Sequence, residues 1–209
     1  MRLIKYGHSC VRLEKRDRAI VIDPGSFSER EPLDGADAVL ITHEHLDHLD
    51  PTKLRDYPDL PIWTNAATAE ALGDVGADRV RIVADGDSFE VAGFAISVHG
   101  EWHEQIHPDI PLVRNVGFLV DSSLFHPGDA FTVLPQPVDT LVVPVSAPWM
   151  RLAFSVDYLR AMRPKLAIAG HDGLLNEAGL GVTNRTMGTL SEAAGLDYRW
   201  LAPRTSLEV

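Results

Sequence analysis

The chain has 209 residues, of which 45% are apolar and 23% charged, a balance typical of a globular protein rather than a disordered or fibrous one. Its 19 basic and 30 acidic side chains give a formal net charge of −11, which disfavours a broad grip on nucleic-acid phosphates. The single cysteine, Cys10, excludes an internal disulfide framework, and no apolar run reaches the ~18 residues of a membrane span. We therefore expect one domain over residues 1–209, located in the cytoplasm and without membrane contact.

The first half of the chain is predicted to form short strands followed by two short helices. Residues 38–41 (AVLI) form a continuous apolar run, the pattern of a strand buried on both faces. Pro51 suits the first turn of a helix, while Asn65 and Gly73 are placed to begin and end another. Strands are predicted over residues 3–6, 11–14, 19–22 and 38–41, and helices over residues 51–57 and 66–72.

The second half returns to strands and then alternates strands with helices. Strands are predicted over residues 79–83, 88–91, 94–98, 116–120, 123–125, 140–143 and 166–169, and helices over residues 155–162, 174–178 and 184–194. A polar loop over residues 100–114 is longer than most loops in compact domains, which makes it a candidate functional segment. Together these elements predict an α/β architecture in which helices cover two mostly antiparallel sheets.

Three histidines and an aspartate lie within six residues, directly after the apolar run 38–41: His43, His45, Asp47 and His48. Imidazole and carboxylate are ligands that suit zinc and similar divalent metals. The spacing favours two adjacent metal positions, one served by His43 and His45 and the other by Asp47 and His48. A solvated polar turn is the plain alternative, but it would leave this dense cluster without a partner.

The H-x-H-x-D-H pattern at residues 43–48 resembles the signature of the metallo-β-lactamase superfamily. The resemblance implies a four-layer αββα sandwich of two mostly antiparallel sheets flanked by helices. It also implies that Asp129, in His-Pro-Gly-Asp, is a ligand shared by two metals, and that His171 is the last histidine ligand. Asp23 would support the ligand loop, while Gly-His-Ser-Cys at residues 7–10 is similar to small hydrolases of the bacterial ascorbate-6-phosphate lactonase subgroup.

The third histidine of the first metal is ambiguous, because three histidines follow one another at intervals of four. His99 lies at the end of a predicted strand, where such a ligand often sits, and His103 lies in the loop that follows. We expect His103 to be the ligand, because it resembles the Gly-x-His element of small relatives, with His99 as the rival. His107 then becomes a pocket residue that contacts the substrate.

Two divalent metal ions, zinc in the first place and otherwise manganese or iron, would hold a bridging hydroxide. That hydroxide would cleave a lactone, ester or phosphoester bond of a small molecule, with Asp47 and Asp129 as catalytic metal ligands. His8 and Trp149 are candidate substrate contacts, although His8 could instead be a turn residue and Trp149 a core residue. Cys10 is not needed as a nucleophile and suits a small buried position.

Three other functions compete with hydrolysis. An iron-dependent oxidoreductase of the persulfide dioxygenase type would use one metal and neglect the second set of ligands, which is complete here with Asp47, His48 and His171. An RNA-processing nuclease would need a basic patch, and a silent metal-binding scaffold would lack a ligand. The expected partner is a small-molecule substrate rather than a nucleic acid, and the oligomeric state stays open.

Overall fold

In the computed structural model, which describes residues 1–75 and 78–209, two seven-stranded sheets form the centre of the protein. In chain order the strands are β1 (Arg2–Lys5), β2 (Val11–Lys15), β3 (Arg18–Ile22), β4 (Ala38–Ile41), β5 (Ile62–Thr64), β6 (Val80–Ile82), β7 (Ser88–Val91), β8 (Phe94–His99), β9 (Gly117–Val120), β10 (Leu124–His126), β11 (Thr140–Pro144), β12 (Leu166–Gly170), β13 (Asp197–Arg199) and β14 (Ser206–Glu208).

Helices cover the outer faces of the sheets. They are α1 (Pro51–Arg55), α2 (Ala66–Leu72), α3 (Leu152–Met162) and α4 (Glu177–Glu192), with single 3-10 turns at Glu31–Leu33 and Gly73–Val75. Among the residues that the structure describes, none of the helices is long and apolar enough to cross a membrane. That the chain forms a single domain located in the cytoplasm stays a prediction.

The two sheets share one pattern of strand pairing. The first sheet has the order β14-β1-β2-β3-β4-β5-β6, and the second has the order β13-β12-β11-β10-β9-β8-β7. Over the described residues, each sheet contains three antiparallel pairings at one end and three parallel pairings at the other. The predicted sandwich of two sheets between helices is confirmed, and its sheets are evenly mixed rather than mostly antiparallel.

The core has one apolar layer between the sheets and one under each set of helices. Alternate residues of β3 divide between these layers, because successive strand side chains point to opposite faces. Ile20 and Ile22 pack between the sheets, whereas Val21 packs under the helices with Leu54 of α1 and Leu72 of α2. The corresponding layer over the second sheet is closed by α3 and α4. Each fully buried Leu or Ile side chain contributes about 1.5–3 kcal/mol to this packing.

Three strands and the extent of one helix were not predicted. Strands β5, β13 and β14 have three residues each, too few to show a hydrophobic period. The two helical segments predicted at 174–178 and 184–194 are wrong as separate helices, since α4 runs without interruption between them. Gly179 and Gly181 lower the helix propensity of the intervening residues, but Asn176 accepts a hydrogen bond from the Gly179 amide and caps the helix.

The segments that carry the candidate site all leave one edge of the sandwich. Parallel neighbours β3 and β4 end side by side in the first sheet, and parallel strands β10, β11 and β12 end together in the second. The loops that follow these carboxyl ends hold Asp23, the 43–48 segment, Asp129 and His171. This edge is where open α/β sheets usually place their ligands.

Candidate metal centre

The loops at this edge bring eight side chains into two adjacent groups. The first group consists of His43, His45, His103 and Asp129, and the second of His8, Asp47, His48 and His171. Within each group, one nitrogen or oxygen of every residue lies within 4.8 Å of the others. Asp129 touches both groups, because its Oδ2 lies 3.2 Å from His103 Nε2 and 2.9 Å from His171 Nε2, while its Oδ1 lies 3.1 Å from His48 Nε2.

Three buried histidines present the same ring nitrogen to the centre. Each of them directs Nδ1 at an oxygen acceptor: His48 at Asp23 Oδ2 (2.7 Å), His171 at the Ser146 carbonyl (2.5 Å) and His103 at the Glu104 carbonyl. Nδ1 of each ring therefore carries a hydrogen, and Nε2 of the neutral ring offers a lone pair. This arrangement is typical of histidines that bind a metal through Nε2.

The atoms that face the centre are buried and orphaned. Across residues 1–75 and 78–209, Nε2 of His48, His103 and His171 and Oδ1 of Asp129 are among the buried side-chain atoms without a hydrogen-bond partner. Their short distances to one another lack hydrogen-bond geometry, so they leave these polar groups uncompensated, which costs about 1–3 kcal/mol each. Imidazole nitrogens and a carboxylate are a donor set that fits divalent zinc, manganese or iron.

Asp23 holds the 43–48 loop from behind. Its side chain is fully buried and accepts three hydrogen bonds, from the Thr42 amide (2.8 Å), the Thr42 hydroxyl (2.8 Å) and His48 Nδ1 (2.7 Å). The contact with a histidine of the cluster is the one expected for this residue. Gly25 follows in the same turn, and a Cβ there would lie 1.9 Å from the Asp47 carbonyl, so only glycine allows this close approach.

A tight turn delivers Asp129 to the centre. Gly128 has a φ of +64°, and a Cβ at this position would meet Asn115 Oδ1 at 2.3 Å. The Asn115 side chain accepts from the Asp129 amide (3.0 Å) and donates to the Pro127 carbonyl (2.9 Å), which fixes the turn. Trp149, predicted to line the pocket, is buried, and its indole Nε1 donates to Asp129 Oδ2 at 3.0 Å.

The structure separates the three histidines of the 99–107 segment. His103 joins the first group, whereas His99 contacts Ser97 Oγ (2.9 Å) and belongs to neither of the two groups found among the described residues. The His107 side chain is 60% exposed, and its Nδ1 accepts a hydrogen bond from the Asp109 amide. The structure therefore does not bring His107 to the cluster, and its substrate contact stays a prediction.

His8 lies inside the second group rather than on its surface. Its Nε2 is 3.1 Å from Asp47 Oδ2, and its Nδ1 accepts a hydrogen bond from the Gly173 amide at 3.1 Å. The backbone of His8 has a φ of +59°, a left-handed conformation that is uncommon for residues other than glycine, although histidine adopts it more often than most. Asp23 and His171 share this conformation, with φ values of +52° and +56°.

Sequence reasoning did not identify Lys5 as part of the site. This side chain is fully buried at the end of β1, and its Nζ contacts the Tyr6 and His8 carbonyls at 2.5 Å each. The same Nζ lies 3.4 Å from Asp172 Oδ1, next to His171 in the chain. A lysine directly after the apolar residues Leu3 and Ile4 was the available signal, since a buried lysine needs such partners.

Burial and neighbouring charges shift the pKa values of the cluster in opposite directions. Burial lowers the pKa of His43 well below its usual value. Burial also opposes charge on His48, but the carboxylates of Asp129 and Asp23 outweigh it and raise the pKa of His48 well above its usual range. For Asp47, burial is outweighed by the hydrogen bond from His8 and by nearby His48, which lower its pKa to about 2. Burial raises the pKa of the Cys10 thiol to about 12, so this cysteine is unsuited to act as a nucleophile.

Comparisons with known proteins find relatives over most of the chain. Residues 2–171 match the beta-lactamase superfamily domain. Protein Rv0786c of Mycobacterium tuberculosis is 36% identical and covers 99% of both chains. A UPF0173 metal-dependent hydrolase of Roseiflexus castenholzii is 25% identical over 72% of this chain and 69% of its own. The metallo-beta-lactamase fold protein YhfI of Bacillus subtilis superposes with a TM-score of 0.74 at 15% identity, covering 100% of this chain and 99% of its own.

Proposed function

Because this chain belongs to the beta-lactamase superfamily, we propose that it is a metal-dependent hydrolase that uses two divalent metal ions to cleave a small ester, lactone or phosphoester. One observation carries the proposal: three orphaned histidine nitrogens and one orphaned carboxylate oxygen converge at a buried point between two donor groups. A similarity to the ascorbate-6-phosphate lactonase subgroup stays a prediction.

Each of the two groups would bind one metal ion. His43, His45 and His103 would hold the first metal, Asp47, His48 and His171 the second, and Asp129 would contact both. When bound, such a pair of ions activates a water molecule and polarises the bond to be cleaved. Asp23 would keep His48 in its metal-binding tautomer, and Trp149 would hold the shared carboxylate in place through its indole N–H.

The border of the second group favours a carbonyl ester or lactone over a phosphoester. Leu46, between two candidate ligands, is 68% exposed, and Leu174, next to the Gly173 that contacts His8, is 52% exposed. Phe27 is 49% exposed and packs edge-on against the His8 ring, with a centroid distance of 5.3 Å. Exposed apolar side chains beside a polar centre suit an apolar group on the substrate better than a phosphate.

The proposal is tested by removing metals with a chelator, reloading zinc or manganese, and assaying a panel of substrates. The panel contains p-nitrophenyl esters of increasing acyl length, lactones, phosphomonoesters and phosphodiesters. We expect metal-dependent hydrolysis of esters or lactones, with kcat/KM rising up to about fourfold for each additional methylene that becomes buried. The variant Leu46→Asn should reduce this rise in kcat/KM. The control Val182→Asn changes an exposed apolar residue on α4, away from the 43–48 loop, and should leave the rise unchanged.

Metal analysis completes the test. Two ions per chain in the active protein are expected, and one ion or fewer would contradict the dinuclear site. Hydrolysis confined to phosphodiesters would overturn the preference for a carbonyl. Oxygen consumption with a persulfide and a single bound iron would instead support the oxidoreductase alternative.

A further inference from the structure

We propose that His8 is a positioning residue for the second metal, acting as a hydrogen-bond donor to Asp47 and not as a metal ligand. This inference rests on the proposed function, because it assigns a role within the same dinuclear site. The His8 ring lies among the candidate ligands, but its two nitrogens have different hydrogen-bond partners from those of the ligand histidines.

The hydrogen-bond partners of His8 decide which of its nitrogens carries hydrogen. The Gly173 amide donates a hydrogen bond to Nδ1 at 3.1 Å. An N–H can donate only to an atom with a lone pair, so Nδ1 carries no hydrogen. In the neutral ring the hydrogen is then on Nε2, which faces Asp47 Oδ2 at 3.1 Å. His8 therefore presents an N–H to the second group, whereas His48 and His171 direct Nδ1 at other acceptors and leave Nε2 for a metal.

Ligation by His8 would require this arrangement to be reversed. Nε2 would have to lose its hydrogen, Nδ1 would gain one, and that hydrogen would point at the Gly173 amide inside a buried region. The surroundings oppose such a change, because Lys5 Nζ holds the His8 carbonyl at 2.5 Å and also approaches Asp172, next to Gly173. The segment of residues 5–8 is thus linked to residues 172 and 173 at two points.

The N–H of His8 has a clear use at this position. A carboxylate can rotate and can bind a metal through one oxygen or two, whereas a fixed donor on Oδ2 restricts it to one orientation. Asp47 is only partly buried, and Leu46 and Glu44 beside it are not buried, so the outer part of the loop provides little packing to hold it. His8 supplies the constraint from a different loop, the one that follows β1.

Two substitutions test the roles of the two ring nitrogens of His8 separately. Asparagine places its side-chain oxygen near the position of Nδ1 and is well tolerated at a positive φ, so His8→Asn keeps an acceptor for Gly173 and removes the donor to Asp47. Glutamine reaches the position of Nε2, so His8→Gln restores an N–H donor toward Asp47. His99→Asn is the matched control, at a histidine outside both groups.

Metal binding to the chelator-treated proteins is measured by calorimetry, with stoichiometry from elemental analysis and folding from the thermal unfolding temperature. For His8→Asn we expect the second ion to bind about 10- to 100-fold more weakly, with the first ion unchanged. His8→Gln should bind the second ion within a few-fold of wild type. Unchanged binding in His8→Asn, or equally weak binding in both variants, would overturn the proposal.

The wild-type protein provides a measurement that does not depend on any variant. Long-range ¹H–¹⁵N spectra of the histidine rings should show His8 with hydrogen on Nε2 both before and after zinc is added. The ¹⁵N shift of a metal-bound nitrogen at His8 would reject the donor role. Failure of the wild-type protein to bind a second ion would instead count against the proposed function, so the two failures are distinguishable.

Discussion

The two groups of candidate ligands are held in place by different kinds of partner. In the first group, His43 Nδ1 donates to the Thr42 hydroxyl (3.0 Å) and His103 donates to a backbone carbonyl, both neutral acceptors. In the second group, His48 donates to the Asp23 carboxylate, and Asp47 accepts from His8. His171 of the second group also donates to a neutral acceptor, the Ser146 carbonyl, so what distinguishes the second group is its two hydrogen bonds between a histidine and a carboxylate. The difference predicts that mutations and pH affect the two metals unequally.

The largest effect is expected where the groups meet. Asp129→Asn keeps the size of the side chain but removes the charge that faces both groups. We expect hydrolysis to fall by more than the about 10- to 100-fold typical of residues behind a ligand, with loss of metal and a retained fold. Turnover, metal content and circular dichroism check this outcome, and retained turnover would remove Asp129 from its shared role.

A change confined to the first group should leave the second occupied. His103→Ala removes a buried ring whose Nε2 faces Asp129, so we expect one metal per chain in place of two. His99→Ala provides the control, because that ring contacts Ser97 instead of the centre. Elemental analysis of both variants decides the matter, and loss of metal only in His99→Ala would reverse the assignment.

Acid should weaken the second group before the first. Because the pKa of His48 is raised, metal must displace a proton there, so affinity falls about tenfold per pH unit below that pKa. The pKa values of His43 and His45 are lowered mainly by burial, so these rings are already neutral and lose metal only at lower pH. Metal titrations between neutral and acidic pH should show two separate losses; a single common loss would contradict the difference.

The smallest effect is expected at the indole that holds Asp129. Trp149→Phe preserves most of the ring packing but removes the N–H that donates to Asp129 Oδ2. A net loss of about 1 kcal/mol corresponds to about fivefold in activity or metal affinity. Steady-state kinetics at saturating metal provides the measurement, and a loss as large as that of Asp129→Asn would point to a collapsed site.

The parts of the fold that were predictable are those with strong local patterns. The apolar runs of β3 and β4 and the alternation in β2 appear in the sequence because those strands pack against the core. Strand β14 has only three residues and forms by pairing with β1, far away in the chain, so its sequence carries no local sign of it. Long-range pairing of this kind is invisible to periodicity.

The same division applies to the candidate site. The spacing of the 43–48 segment indicated a metal centre, because its residues are close in the sequence as well as in space. The tautomer of His8 depends on Gly173, which is 165 residues away, and the role of Trp149 depends on where its loop meets Asp129. Such contacts follow only from the assembled tertiary structure.

The placement of the candidate ligands on two sheets has a mechanical consequence. The 43–48 segment extends from β4 of the first sheet, whereas Asp129 and His171 follow β10 and β12 of the second. A bound ion would therefore act as a cross-link that fastens the two layers at one edge. Ligand binding to the native state alone adds about 2.7 kcal/mol of stability at a hundredfold excess over the dissociation constant. Chelation should accordingly loosen the sandwich from this edge inward, so that resistance to heat reports on metal supply.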